Sequence, residues 1–268
     1  MEKHNGEINA SELLNRAVTE PGVISKAYTA FYGYSFGNQL LAYCQCMQRG
    51  IALGPIATFP GWKAKGRSVK KGEKAIVLCQ PVTVKRSGEV DGNGDQQSDA
   101  VFTRFVYKPH WFVLAQTDGQ DLDPVAPIPD WDKDRALATL QISEIPFGMT
   151  DGNVQGYASD RSIAVSPVAE LPYKTRFHEL AHVVLGHTAE HTNLTDDETT
   201  PRNLREVEAE SVAMLCLEVL GLPGSEFSRG YIQHWNHGND PIPERSAQRI
   251  LKATDTILKS GRTSAEGA

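Results

Sequence analysis

Between residues 177 and 187 the chain reads FHELAHVVLGH, and this segment limits the possible fold more than any other. Leu180, Ala181, Val183, Val184 and Leu185 predict a buried helix. Two imidazoles and a carboxylate are costly on such a helix unless something bonds them. His178 and His182 stand four apart, one turn up the same face, where both can reach one metal ion. Glu179 projects beside them, placed to take a proton from water. The fold must therefore bury this helix and bring a third ligand to it from elsewhere.

A histidine six residues after the second would complete the metzincin pattern HExxHxxGxxH. Thr188 holds that position and Leu185 the glycine position, so His187 is one residue out of register, and Gly186 is expected to end the helix. The other source is a carboxylate from a later helix. Residues 204–220 read LREVEAESVAMLCLEVL, with Glu206 and Glu210 on one face and Glu208 pointing roughly away. We expect Glu206 to be the third ligand. Glu210 is then expected to accept an N–H from a ligating histidine and fix its tautomer, and it is also the reserve ligand. The same acidic turn would equally suit a helix N-terminus with no metal role. Zinc is the expected cofactor, although nitrogen and oxygen ligands admit Mn or another divalent ion. Tyr231 and His234, in YIQHW, are candidate donors to an oxyanion, with plain helix packing as the competing reading.

The whole chain of 268 residues has 33 acids against 27 bases, yet residues 21–88 hold ten bases and one acid, Glu73. Lys63, Lys65, Arg67, Lys70, Lys71 and Lys74 crowd into twelve residues beside Phe59 and Trp62. Such cations neutralise phosphates, and aromatic faces stack on unpaired bases, so single-stranded DNA is the expected partner. Trp62 is the leading stacking candidate, followed by Tyr34 and Asn38. A solvated basic face over an aromatic core is the alternative. No zinc-finger, helix-turn-helix or RNP pattern is present.

Helices are expected at 11–20, capped by Ser11, and at 35–48, 131–142, 174–185, 204–220 and 243–260. Strands are expected at 74–84 and 101–114, joined by the polar stretch 87–99, and one short strand at 157–165 after a turn at 151–153. The fold class is α+β in two domains. One, residues 1–120, mixes helices with a small antiparallel sheet; the other, 134–260, carries the metal helix. Residues 121–133, acidic with three prolines, read as a linker, and 261–268 as a frayed tail. Four scattered cysteines argue for reduced thiols, and neither a signal peptide nor a membrane span is evident, so a cytoplasmic location is expected.

HELAH followed by EVEAE resembles the gluzincin arrangement HExxH…ExxA[DEN]. It is most similar to the zincin-like domains of ArdC-type antirestriction proteins and the ImmA/IrrE peptidases. That resemblance implies Glu206 as third ligand. GYASDRSIAVSP (156–167) resembles the strand before the metal helix in those families, and Ile163–Val165 would be an edge that pairs with an extended peptide. YGYSFGNQLLA (32–42) and GWKAKGRSVKKGEKAIVL (61–78) resemble the ArdC-type N-terminal domain, which implies binding of single-stranded DNA. The stretch 87–99 and the acidic spacer 187–203 depart from the pattern. The resemblance implies an antirestriction role with an unidentified protein substrate. An ImmA/IrrE-like peptidase cleaving a repressor, or a DNA-binding protector with a non-catalytic zinc site, remain the alternatives.

Overall fold

Helix α1 (Ala10–Thr19) buries Leu13, Leu14, Ala17 and Val18 along one stripe, as their spacing predicts. This computed structural model describes residues 9–86, 100–122, 127–149, 154–188, 201–237 and 242–263. The cap of α1 is Asn9, whose side chain accepts from Glu12 N at 2.8 Å, and not Ser11, whose hydroxyl donates to Ile242 O. The N–H groups of Ala10 and Ser11 donate to the two oxygens of Glu244 at 3.0 and 2.9 Å. Helix α2 (Val23–Ala30) begins at Gly22, in the left-handed region at φ 79°, and Gly22 N–H donates to Glu218 Oε1 at 3.0 Å. Helix α3 (Phe36–Arg49) begins with Phe36 N–H donating to Asp255 Oδ1 at 3.0 Å. Each of these helices thus starts on a carboxylate from the C-terminal part of the chain.

That pattern explains a departure from the expected domain limits. Residues up to Tyr43 group with those from Val125 onward, and Cys44–Pro124 form a second unit. The apolar stripes of α1 and α2 are covered by C-terminal helices, so the first 43 residues do not belong with the sheet expected to share their domain.

In the Cys44–Pro124 unit, β1 (Ile56–Thr58) leads into α4 (Phe59–Ala64) and β2 (Arg67–Val69). The long strands β3 (Ile76–Arg86) and β4 (Ala100–Val113) pair antiparallel, from Ile76 opposite Trp111 to Arg86 opposite Ala100. β1 adds to the far side of β4, giving the order β1-β4-β3, and β2 pairs antiparallel with β5 (Thr117–Gly119). Ile56, Trp62, Ile76, Leu78, Trp111 and Val113 are among its buried residues. The stretch 87–99 lies outside the described residues.

The other unit resumes with α5 (Lys133–Leu140) and a three-stranded sheet. Its strands are β6 (Ser143–Glu144), β7 (Gly156–Ser159) and β8 (Ser162–Val165), in the order β6-β8-β7. The single strand expected at 157–165 is therefore two, reversing at Asp160, a positive-φ residue at 49°. Ile163–Val165 is not the edge: β8 is central, and Ile163 pairs with both Glu144 and Ala158. β7 is the edge strand beside it. The turn at 151–153 and spacer residues 189–200 fall outside the described residues.

Helix α6 (Pro172–Val184) packs on β7 and β8, and α7 (Arg202–Leu220) packs on α6. α8 (Ser225–His237) and α9 (Glu244–Ser260) lie against α7, whose residues from Val207 to Leu217 are almost all buried. Trp131 and Gly261 fall in the expected linker and tail, yet both are tied down. Trp131 Nε1 donates to Ile257 O at 3.0 Å, Asp132 N–H donates to Gly261 O, and the Arg262 guanidinium sits 5.1 Å from the Tyr28 ring centre. Residues 123–126 and 264–268 lie outside the described residues. No helix is long and apolar enough to cross a membrane among the described residues.

Candidate metal centre

His178 and His182 come from consecutive turns of α6, and Glu206 from the second turn of α7, so the packing of these two helices assembles the centre. His178 Nε2 and His182 Nε2 are 3.1 Å apart. Glu206 Oε2 is 3.4 Å from the first and 3.7 Å from the second. Bonds of about 2.0–2.1 Å to a tetrahedral ion put donor atoms roughly 3.4 Å apart, so this triangle fits one divalent cation. These are the residues that group as candidate ligands among the described residues. The Glu206 side chain is 40% exposed, which leaves an approach from solvent.

Burial alone would lower the pKa of His178, but the carboxylates of Glu206 and Glu210 outweigh it and hold the imidazole up at about 9. The hydrogen bonds to His178 and His182 in turn push Glu206 far down. A cation would take over the role of that proton and must displace it. Glu179 is buried, and burial raises its pKa against the pull of both histidines. Glu210 Oε1 stands 3.4 Å from His178 Nδ1, on the side away from the triangle. Burial would raise its pKa, but His178, Ser228 and Lys174 together hold it at about 2. Lys174 Nζ is at 2.9 Å and the buried Ser228 hydroxyl donates at 2.5 Å. Tyr231, one turn beyond Ser228 on α8, is exposed; partial burial raises its pKa, and Glu206 and Glu210 add to the rise. His234 is exposed.

Sequence reasoning missed two residues behind His182. His187 Nδ1 faces His182 Nδ1 at 3.0 Å, and His187 Nε2 meets Glu208 Oε2 at 2.8 Å. Both side chains are buried, at 4% and 0% exposure. Glu208 does point away from the triangle, as its helix position predicts, but into this second pair. The sequence signal was present: a charged residue in an otherwise apolar helix needs a partner. Thr188, at the position of a metzincin's third histidine, donates instead to Asp160 O.

The residues expected to meet DNA divide sharply. Trp62 is 1% exposed and its indole N–H donates to Phe112 O at 2.8 Å, so it is core and offers no stacking face. Arg67 is spent on Thr117, with its Nε 2.8 Å from the hydroxyl, and on the carbonyls of Thr117 and Gln120. Lys70 donates to Ala115 O. Lys63, Lys65, Lys71 and Lys74 are exposed. Among the described residues, the exposed large aromatics of this unit are Phe59, Phe105 and Tyr107, at 54, 68 and 46%.

Residues 15–109 match the family described as the N-terminal domain of anti-restriction factor ArdC. The crystal structure of the antirestriction protein ArdC from plasmid R388, metal-free, superposes over 94% of this chain and 96% of its own, with a TM-score of 0.56 at 18% identity. The chain has the fold of the R388 protein, and its residues 15–109 match the ArdC N-terminal domain. The Mn(II)-bound structure of the R388 protein gives the same picture, with a TM-score of 0.55 at 17% identity over 96 and 97% of the two chains. No curated protein matches. The matched segment runs from α1 into β4, and so takes in residues of both units.

Proposed function

We propose that the chain is an antirestriction protein combining a metal-dependent peptidase with a single-stranded-DNA-binding unit. The observation that carries the hydrolase is the triangle of His178, His182 and Glu206 on a helix that buries Glu179 beside it. A divalent ion there would supply a Lewis acid for a peptide carbonyl and an acidified water. Zinc suits this zincin-like ligand set, and manganese, held by the R388 relative, suits it too. Glu179 takes the proton of the attacking water and returns it to the leaving amine. An extended peptide pairs along β7, whose Gly156 lies against Glu179. Tyr231 donates to the developing oxyanion.

The test uses the full chain loaded with zinc or manganese and a mixed peptide library read by mass spectrometry. Glu179→Gln should keep the metal and lose about 10²–10⁴-fold in cleavage rate, the usual worth of a general base. Equal cleavage by both proteins, or no metal uptake by the wild type, would overturn the reading.

For DNA, Lys63, Lys65, Lys71 and Lys74 supply phosphate contacts, with Phe105 and Tyr107 as stacking faces in place of Trp62. These two alternate along β4 and so share a face. Fluorescence anisotropy across a salt series should show preference for single strands over duplex, weakening steeply with salt. If Glu179→Gln leaves antirestriction intact in cells while Lys71→Glu with Lys74→Glu abolishes it, the protein protects by DNA binding alone.

A further inference from the structure

The buried pair behind His182 has a determinate hydrogen-bond order. Two imidazole nitrogens 3.0 Å apart can share only one proton: two N–H groups would repel, and two lone pairs would not bond. Glu208 lies between Arg249 Nη1, at 3.4 Å from Oε1, and His187 Nε2, at 2.8 Å from Oε2. Facing a guanidinium, it is a carboxylate and accepts from His187 Nε2–H. His187 is buried at 4% exposure, and Arg249 already supplies a cation to Glu208, so the imidazole stays neutral and presents a lone pair at Nδ1. His182 must therefore donate from its own Nδ1, which leaves the His182 Nε2 lone pair bare, and that is the atom in the metal triangle.

We propose that Arg249, Glu208 and His187 form a positioning relay that sets the metal-binding tautomer of His182. The three come from α9, α7 and the turn after α6, so one line of hydrogen bonds, buried at Glu208 and His187 and 31% exposed at Arg249, ties α9 to the helices whose packing builds the centre. Arg249 Nη2 also donates to Leu185 O at 2.6 Å, which fixes the turn that carries His187. The sense of the relay depends on the carboxylate. In Glu208→Gln, Arg249 still demands an oxygen, so the amide NH₂ faces His187 Nε2 and donates to it. The proton on His187 then moves to Nδ1, His182 Nδ1 becomes the acceptor, and His182 Nε2 carries the hydrogen. A nitrogen with a hydrogen cannot ligate.

This proposal rests on the reading that the triangle holds a divalent ion, but its first test does not. In the metal-free full chain, ¹⁵N shifts and long-range couplings of labelled histidines distinguish Nδ1–H from Nε2–H, with His182 assigned by its loss in His182→Asn. The wild type should show His182 as Nδ1–H and His187 as Nε2–H; His182 found as Nε2–H overturns the relay. In Glu208→Gln both should invert, and Mn(II) affinity, measured by competition with a chelator, should fall about 10–100-fold, the range usual for lost partners of a ligating histidine. A melting temperature lowered with no change in tautomer or affinity would make Glu208 merely structural and overturn the proposal. No Mn(II) uptake by the wild type, with the wild-type tautomers as stated, would instead sink the metal reading and leave the relay standing.

Discussion

Gly156 is where the backbone of β7 comes nearest the proposed base. A Cβ there would stand 2.5 Å from Thr175 Cγ2, 3.0 Å from Ala164 O and 3.1 Å from Glu179 Oε1. Gly156→Ala should cost about 1–3 kcal/mol by overpacking and slow hydrolysis while leaving the metal bound; calorimetry with chelator competition checks both halves. The aromatic residues give a second contrast. Trp62→Ala should lose about 3–5 kcal/mol in denaturant titration, since it empties a core position. Phe105→Ala should leave stability within about 0.5 kcal/mol and weaken single-strand binding by about 1–3 kcal/mol. Neighbouring lysines had made Trp62 look like a surface residue, yet its exposure depends on strands β1 and β4 that a local window cannot see. The two histidines proposed as ligands were readable because i, i+4 spacing within one helix is local. His187 and Glu208 were not, because their meeting requires two helices to pack.

Among the elements, α9 is long and amphipathic while α6 and α7 carry long apolar runs, and their patterns survive any context. α2 escaped notice for the opposite reason. Its eight residues, VISKAYTA, carry no side-chain cap, and the carboxylate that receives its start comes from Glu218. The β7–β8 reversal is made by Asp160 and Arg161 with neither glycine nor proline, and its signal is Asp160 after Ser159, since Asp favours turns and tolerates positive φ better than most. Glu244 offers a test at this scale. Burial would raise its pKa, but the amides of Ser11 and Ala10 and the Gln248 side chain lower it on balance. A carboxyl depressed in the fold stabilises above its unfolded pKa, and that stability disappears as pH falls through the folded value. Glu244→Ala should therefore lower the melting temperature at pH 7 by a few degrees, for a cap worth about 1 kcal/mol. The difference should close below about pH 4. A gap that persists in acid would mean the carboxylate is not what holds α1.

For the molecule as a whole, the two units are not consecutive along the chain, because the N-terminal helices join the C-terminal ones. A fragment ending at residue 125 would leave α1 and α2 without Glu244, Glu218 and the apolar faces of α7, α8 and α9. Circular dichroism of that fragment should show less helix than these segments have in the full chain, and hydrogen exchange should find their amides unprotected. Protected α1 and α2 amides in the fragment would contradict the arrangement. A divalent ion held by the proposed ligands would add a separate increment. Ligand at a hundred times its Kd stabilises by about 2.7 kcal/mol, so stripping the ion should shift unfolding by several degrees without abolishing the fold.

The carboxylates that start the first three helices also fix a timetable. They lie 234, 196 and 219 residues downstream of the amides they receive. At roughly 5–20 residues per second, a ribosome needs about 10–45 seconds to supply them. Throughout that interval the newborn chain displays the apolar stripes of α1 and α2 with nothing of its own to cover them. The first segments made are among the last to be secured, and chaperones that grip exposed apolar helices have that window in which to act.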